Sequence, residues 1–316
     1  MSRNGIRSTA SSFREKFKFP DYLNSNFRKW YPGHMAKGLR AARAMINHCD
    51  CVIEVHDARI PNIGRNPNFF EFVAQKPHLL MLNKVDLVDK RIFKEYRSKL
   101  KDFGKTIFDS NCKENKDRNV KKIVPTILEL IKQGEILTDS DNEDRLGSYR
   151  ILVCGIPNTG KSSFINSLRR LNLRRGTATP VGKLPGVTRS LMNKILIHQD
   201  PKIYIYDTPG VIPPHIEDLE MAMKLSIVGC FPDRQIGEDV VADYLLYTLN
   251  KQKKYRYVQY FGLPGPSDDF DTLSMYIARK TGFWDGNKPN YLNTSLHFLR
   301  QFRDGNLGTV FLNQIS

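Results

Sequence analysis

The octapeptide GIPNTGKS at 155–162 constrains the fold of this chain more than any other stretch. It matches the pattern G-x-x-x-x-G-K-[ST] at every fixed position, between an apolar run that predicts a strand and a predicted helix that starts at Lys161. Gly155 and Gly160 allow the backbone to curl so that its N–H groups point at a bound phosphate, and the helix N-terminus adds a favourable partial charge. The stretch therefore predicts a nucleotide phosphate loop.

The side chains of this loop predict distinct contacts with a nucleoside triphosphate. Lys161 would neutralise the β- and γ-phosphates, and the hydroxyl of Ser162 would ligate Mg²⁺. The predicted phosphate-loop contacts are Asn158, Thr159, Gly160, Lys161, Ser162 and Ser163.

Two later segments are typical of γ-phosphate sensing. DTPG at 207–210 ends the predicted strand KIYIYD, roughly fifty residues after the phosphate loop. Asp207 would hold Mg²⁺ through a water molecule, and the Gly210 N–H would contact the γ-phosphate. Alone, Asp-x-Pro-Gly also makes a good β-turn, so its weight comes from its position. Thr188, between the two motifs, is predicted to ligate Mg²⁺ only when the γ-phosphate is present.

The tetrapeptide NKVD at 83–86 predicts guanine selectivity. The Asp86 carboxylate can accept two hydrogen bonds from guanine N1–H and the 2-amino group, and adenine offers neither donor. Asn83 is predicted to meet the other base edge, and the Lys84 stem to cover the ring face. Such a short motif also arises by chance, so the phosphate loop and DTPG in the same chain are what favour the guanine site.

The order of these motifs is unusual, because NKVD precedes the phosphate loop by about seventy residues. A pocket built from loops at the carboxyl ends of strands does not depend on chain order, and termini that lie close can be joined. The sequence therefore predicts a circularly permuted domain, with the base-binding half at 49–133 and the phosphate-binding half at 150–210. FDSNCKEN at 108–115 predicts a second base-contacting loop through Ser110 and Asn111.

Strand-like and helix-like stretches alternate from 49 to about 210, which predicts an α/β fold with a mostly parallel sheet and helices on both faces. Helical periodicity replaces the strand signal after 212. We predict an N-terminal segment at 1–27, the permuted nucleotide domain at 28–211 and a small α-helical domain at 212–316.

Composition indicates the partners rather than the fold. The net charge is +16 and the isoelectric point is about 9.6, which favours a polyanion such as nucleic acid or an anionic membrane surface. A solvated basic surface is the alternative. Five cysteines without a CxxC pair suit a reducing compartment, and no apolar run approaches the length of a membrane span.

The first seventeen residues are rich in Arg and Ser and contain no acid before Glu15. Apolar residues recur at helical spacing, at Ile6, Ala10, Phe13 and Phe17. An Arg- and Ser-rich, acid-poor and amphipathic start is typical of a mitochondrial transit segment. A basic arm that contacts RNA directly is the alternative.

The residue after DTPG is Val211, where many guanine-nucleotide hydrolases have a glutamine that orients the attacking water. Either hydrolysis is slow or another group acts. His34, in the stretch KWYPGHMAKGLRAAR, is the catalytic candidate because a histidine can orient or deprotonate water near neutral pH. A capping or surface histidine is the alternative.

Six segments occur in the order found in circularly permuted GTPases of the YlqF/RbgA type, which the chain resembles from about residue 28 to 308. They are WYPGHMAKGLR, HDARIPNIGRNP, NKVD, GIPNTGKSSFIN, PGVT and DTPG. With the basic N-terminus, the chain resembles a mitochondrial member of that family. The resemblance implies a slow GTPase that assembles the mitochondrial large ribosomal subunit, is stimulated by that subunit, binds in the GTP state and leaves on hydrolysis. The alternative is a GTP-gated checkpoint that barely hydrolyses.

The resemblance also implies site residues and cofactors. His34 would substitute for the absent glutamine, and Asn158 would help to ligate K⁺ beside GTP or GDP and Mg²⁺. The chain departs from the family at Asn111, where relatives usually have alanine after the serine.

The implied partners are the mitochondrial large subunit, its rRNA and other assembly factors. The helical domain would contact rRNA, with the basic and aromatic stretch at 250–260 as the candidate surface and a solvated helix end as the alternative. We expect a matrix protein that is monomeric off the ribosome, with peripheral attachment to the inner membrane left open. A membrane signalling GTPase is disfavoured because NQIS carries no prenylation cysteine.

Overall fold

The computed structural model describes residues 13–23, 40, 42–63, 76–99, 106–113, 117–138, 147–174, 193–208 and 218–313. The chain forms two compact units. The sheet unit contains Tyr22–Ile236 and Thr309–Ser316, and the helical unit contains Met1–Asp21 and Gly237–Gly308. The chain therefore passes between the two units after Asp21, Ile236 and Gly308. The domain bounds after residues 27 and 211 stay predictions from the sequence.

In the residues that the structure describes, the sheet unit contains six strands with helices between them. Its strands are β1 (Cys51–Asp57), β2 (His78–Asn83), β3 (Ile107–Ser110), β4 (Ser148–Cys154), β5 (Asn193–Gln199) and β6 (Lys202–Asp207). Its helices are α1 (Lys90–Lys99), α2 (Arg118–Thr138), α3 (Lys161–Leu173) and α4 (Leu219–Ile227). The strand order is β3-β2-β1-β4-β6-β5, and only β5 runs antiparallel to its neighbour. The predicted α/β fold with a mostly parallel sheet is confirmed.

Helices cover both faces of this sheet because side chains alternate along each strand. Leu79 and Met81 of β2 pack in a cluster with apolar residues of α2 and α3. Leu80 and Leu82, the intervening residues, pack with Phe93 and Tyr96 of α1 on the opposite face. The central strand β1 is buried along its whole length, as expected for a parallel strand covered on both sides.

The parallel strands bring the ends of the motif-bearing segments to one edge of the sheet. Asp57 pairs with Asn83, Asn83 pairs with Ser110, and Asp207 pairs with Val153 one residue before the end of β4. The segments that follow these strands meet at the same edge, although they come from distant parts of the chain.

The helical unit is built from α5 (Glu238–Lys251), α6 (Arg256–Phe261), α7 (Phe270–Thr281) and α8 (Tyr291–Arg303), with a hairpin of β7 (Trp284–Asp285) and β8 (Lys288–Pro289). Its predicted helical character is confirmed, and the short hairpin is an addition. In the described part of the chain, no helix is long and apolar enough to cross a membrane.

Residues 13–21 pack within the helical unit and are not helical up to residue 20, although the spacing of Phe13 and Phe17 suggests a helix. The Phe17 ring lies 5.0 Å from that of Tyr244 and 5.7 Å from that of Tyr247. Arg14 donates to both carboxylate oxygens of Asp243, at 2.8 and 2.9 Å. The two phenylalanines therefore do not form one face of a helix; each makes its own tertiary contacts with aromatic rings of the helical unit.

Candidate nucleotide site

The loop between β4 and α3 has a backbone that two glycines make possible. Gly155 has φ 143°, and a Cβ there would lie 2.3 Å from the carbonyl oxygen of Val55. Gly160 has φ 100°, and a Cβ there would lie 2.1 Å from Nδ2 of Asn83. At both positions the positive φ angle disfavours any residue other than glycine, and the close neighbour leaves no space for a side chain. The loop geometry is the one that the octapeptide predicts.

Lys161 turns its ammonium group into this loop. Its Nζ donates to the carbonyl oxygens of Gly155, at 3.1 Å, and Ile156, at 2.9 Å. Burial lowers the pKa of Lys161, and the neighbouring carboxylate of Asp207 opposes that shift. A poorly solvated cation held by neutral carbonyls gains strongly from an anion, as a phosphate site requires.

Asp207 ends β6 with a carboxylate that is 2% exposed. Neither of its oxygens has a hydrogen-bond partner among the described residues. Burial raises the pKa of Asp207 to about 6, against the opposing charge of Lys161. Buried oxygens without partners fit a hydrated Mg²⁺ ion, which prefers oxygen ligands and keeps several waters. Ser162 and Ser163, the other described candidates, are half-buried in the first turn of α3.

Asn83 joins three loops through its side-chain amide. Its Nδ2 donates to the carbonyl of Thr159 at 2.9 Å, and its Oδ1 accepts from the Cys112 N–H at 3.1 Å. The side chain is 3% exposed. Each end of the amide thus makes one hydrogen bond to the protein and keeps a second donor or acceptor position, so the contact with a base edge stays a prediction. In this structure Asn83 therefore fixes the NKVD segment at 83–86, here called the guanine-type loop, against the phosphate loop.

Lys84 and Asp86 have different environments. Lys84 adopts a left-handed conformation, with φ 63°, and begins a 3-10 turn over Val85–Leu87. That turn leaves Asp86 exposed, so its carboxylate is accessible to a ligand. The Nζ of Lys84 instead donates to the carbonyl oxygen of Asn158 at 2.5 Å, which adds a second link to the phosphate loop.

The second predicted base loop, after β3, is closed by its own hydrogen bonds. The Asn111 N–H donates to Asp117 at 2.8 Å, and its side-chain oxygen accepts from the Lys113 N–H at 3.2 Å. Ser110 is buried, with its hydroxyl 3.1 Å from the sulfur of Cys112. Because Cys112 also contacts Asn83, this loop lies beside the guanine-type loop.

Asp57 and Arg59 contribute to the site in a way that motif spacing did not reveal. Asp57 is buried at the end of β1 and lies 2.9 Å from Lys84 Nζ. The only sequence signal was the HDAR stretch within the family resemblance. Gly229 was also missed, and its carbonyl oxygen accepts from Asn158 Nδ2 at 2.7 Å. Asn158 was predicted as a K⁺ ligand.

The predicted catalytic and switch residues His34, Thr188 and Gly210, and with them Val211, lie outside the described residues. Across the ranges that the structure describes, no group of three or more His, Cys, Asp or Glu side chains could hold a metal ion. The described Mg²⁺ candidates are Ser162 and Asp207.

A parallel sheet with a phosphate loop after its fourth strand and an NKVD loop after its second defines a circularly permuted P-loop GTPase. A family model described as 50S ribosome-binding GTPase matches residues 150–260. The chain belongs to the family of mitochondrial ribosome-associated GTPase 1. It is 44% identical to the Xenopus tropicalis protein of that name over 93% of this chain and 96% of the relative.

A more distant relative and two solved structures are also similar to this chain. The chain is 31% identical to ribosome biogenesis GTPase A of Bacillus cereus, over 89% of this chain and 92% of the relative. Its fold is similar to the crystal structure of GNP-bound YlqF from T. maritima, with a TM-score of 0.57 and 23% identity over 88% of this chain and 98% of that chain. The GDP-bound YlqF structure gives a TM-score of 0.55 and 22% identity, over 86% and 98%.

Proposed function

We propose that this GTPase acts in the assembly of the large subunit of the mitochondrial ribosome, which it binds with GTP and leaves after hydrolysis. The observation that carries the proposal is the 44% identity over nearly the whole of both chains to a mitochondrial ribosome-associated GTPase. The similarity to a bacterial ribosome biogenesis GTPase supports the same role. The site of action would be the mitochondrial matrix, with peripheral contact to the inner membrane as an additional possibility.

Each described site residue has a role in this proposal. The exposed Asp86 carboxylate would select guanine by accepting hydrogen bonds from its N1–H and 2-amino groups. Asn83 and Lys84 would hold the loop that carries Asp86. Lys161 would exchange its carbonyl partners for phosphate oxygens. Ser162 and Asp207 would hold Mg²⁺, together with Thr188. Mg²⁺ supplies neutralisation of the developing phosphate charge. Gly210 would contact the γ-phosphate.

Hydrolysis is proposed to depend on His34, because Val211 cannot hydrogen-bond to a water molecule. A K⁺ ion near Asn158 would add positive charge beside the phosphates. The second candidate, favoured by the same valine, is a checkpoint that binds the ribosome with GTP and barely hydrolyses it.

The helical unit is the proposed rRNA-binding part, with basic side chains as the contact groups. Lys251, Lys253 and Arg256 are exposed. Two of the three tyrosines in this stretch, by contrast, serve packing. Tyr257 is buried and donates to Asn250 at 2.7 Å, and Tyr255 stacks on Phe13 at 5.9 Å between ring centroids. Binding should therefore rest on phosphate contacts, and base stacking by these rings is not expected.

The test is GTP turnover with and without purified mitochondrial large subunits. We expect slow turnover alone, stimulation by the subunits, and loss of roughly tenfold or more of the stimulated rate in His34→Ala. His48→Ala is the matched control, because His48 is an exposed histidine of the sheet unit that is assigned no role in the nucleotide site. GTP-dependent subunit binding without stimulated turnover would establish the checkpoint, and no binding to the subunits in either nucleotide state would refute the ribosomal role.

A further inference from the structure

A buried ionic network of Asp57, Arg59 and Lys84 lies beside the proposed guanine site. Asp57 and Arg59 have no assigned contact with a phosphate or a base. Asp57 and Arg59 are each 1% exposed, at the end of β1 and in the loop behind it. Arg59 donates from Nε to Oδ1 of Asp57 at 2.9 Å and from Nη2 to Oδ2 at 2.7 Å. Such a two-point pair fixes the plane of the carboxylate as well as its place.

The same carboxylate reaches the guanine-type loop. Its Oδ2 lies 2.9 Å from Nζ of Lys84, which also donates to the phosphate-loop carbonyl of Asn158. Burial by itself would raise the pKa of Asp57, but the charges of Arg59 and Lys84 and their hydrogen bonds outweigh burial and hold the pKa well below its ordinary value. Asp57 is therefore a carboxylate that both cations keep ionised.

The surroundings of Arg59 hold it from two further sides. Its backbone carbonyl accepts from the Leu312 N–H at 2.9 Å, and its Nη2 lies 3.5 Å from the carbonyl oxygen of Val228. Val228 adjoins Gly229, the partner of Asn158. The network thus connects the guanine-type loop and the phosphate loop to the end of α4 through buried groups.

We propose that Asp57, oriented by Arg59, is a positioning residue for nucleotide binding, which acts by holding the ammonium group of Lys84 between the guanine-type loop and the phosphate loop. With its ammonium group held there, the Lys84 side chain is already placed to cover the guanine ring. The distance between the two loops is also fixed before the nucleotide binds. Without that anchor, binding would have to order the side chain and both loops. The proposal rests on the proposed guanine site.

The experiment is a double-mutant cycle between Arg59→Lys and Lys84→Met, read as the Kd of GDP in Mg²⁺ by titration calorimetry. A lysine at 59 keeps the charge but cannot make the two-point bond, and a methionine at 84 keeps an apolar stem without the ammonium group. We expect Arg59→Lys alone to raise the Kd about tenfold, and less than twofold in the Lys84→Met background.

Two controls separate the possible failures. Arg14→Lys changes the same kind of two-point arginine pair in the helical unit and should leave the Kd unchanged. Asp86→Asn should abolish the preference for GDP over XDP; if it does not, the guanine site itself is misassigned. If it does, and the effects of the cycle on Kd are additive, Asp57 and Arg59 are structural only and the positioning proposal is overturned.

The proposal stays testable if Arg59→Lys does not fold. Asp57→Glu keeps the charge that compensates Arg59 but displaces the carboxylate, and the same non-additivity with Lys84→Met is expected. Lys84→Met alone leaves the buried pair intact and should raise the Kd of GDP about tenfold. Wild-type affinity in that variant would refute the proposal, because the ammonium group that Asp57 holds would then have no part in binding.

Discussion

At the residue scale, Asp207 gives the unliganded protein a pH dependence of known sign. Its folded pKa is raised to about 6, so the folded state binds a proton more tightly than the unfolded state between about pH 4 and 6. Its contribution to stability is therefore favourable at low pH and is lost as pH rises through 6. Relative to Asp207→Asn, wild type without nucleotide should lose on the order of 2 kcal/mol of unfolding free energy from pH 4.5 to 7.5.

The measurement is urea unfolding of both proteins at several pH values. The difference between their unfolding free energies cancels the contribution of every titrating group that they share. Mg²⁺ and GDP should remove the disadvantage of wild type at pH 7.5, because the ionised carboxylate then has a cation to face. A difference that does not change with pH would show that burial does not perturb this carboxylate.

Asn83, Lys84 and Asp86 show what a motif can and cannot predict. The chemistry of NKVD made Asp86 the guanine-selective residue, and the structure leaves that side chain accessible. The same chemistry predicts a base contact for Asn83, and the structure adds hydrogen bonds from its amide to Thr159 and Cys112. These partners come from two loops elsewhere in the chain, so no spacing within NKVD could have revealed them.

At the element scale, the segment 309–313 returns from the helical unit to the guanine-type loop. The Val310 N–H donates to the carbonyl of Leu87 at 3.2 Å, next to Asp86. Phe311 is 6% exposed and packs on Tyr96 of α1, with 4.9 Å between ring centroids. The segment 309–313 is therefore held to the rest of the sheet unit by a backbone hydrogen bond beside the NKVD loop and by a buried aromatic contact.

Phe311→Ala should therefore lower the unfolding free energy of the sheet unit by about 3 kcal/mol and weaken GDP binding several-fold. The first effect follows from the cavity left beside Tyr96, and the second from the loosened 3-10 turn that carries Asp86. Thermal unfolding and GDP titration measure them. Removal of 314–316 is the matched control and should change neither. Unaltered GDP affinity in a destabilised Phe311→Ala protein would separate this segment from nucleotide binding.

The strands were predictable from sequence because each is a local pattern of mostly apolar residues. The strand β1, CVIEVHD, keeps this character although it also contains Glu54 and His56. Their meeting at one edge followed from parallel pairing, so the permuted order could be understood without coordinates. The place of 309–313 was not predictable in the same way. Its hydrogen bonds reach residues more than two hundred positions earlier, and no local periodicity marks such a partner.

At the scale of the whole molecule, the covalent chain passes between the two units three times. It leaves the helical unit after Asp21, returns at Gly237 and leaves again after Gly308. The composition of 1–27 predicts a targeting segment, with a basic RNA-binding arm as the alternative, and this stays a prediction. The structure gives residues 13–21 a place in the helical unit, through Arg14 and Phe17. A basic, acid-poor composition does not reveal which of its residues have tertiary partners.

This arrangement predicts that a mature mitochondrial form retains residues 13–21. Arg14 pairs with Asp243 at 2.8 Å and Asp268 at 3.1 Å, and Tyr247 donates to the Glu15 carbonyl at 3.0 Å. Loss of these contacts and of the Phe17 packing should destabilise the helical unit by about 2 kcal/mol. Mass spectrometry of the protein isolated from mitochondria should therefore place its N-terminus before Phe13.

The energetic side of this prediction is tested with two truncations, one starting at Phe13 and one at Tyr22, each with an added initiator methionine. In a Trp30→Phe background the remaining tryptophan is Trp284, which lies in the helical unit and reports on its unfolding. The chain starting at Phe13 should unfold like the full chain, and the shorter one at lower urea concentration, because only the shorter one lacks Arg14 and Phe17. Coincident unfolding of the two truncated chains would contradict the role assigned to this segment and remove the reason for its retention.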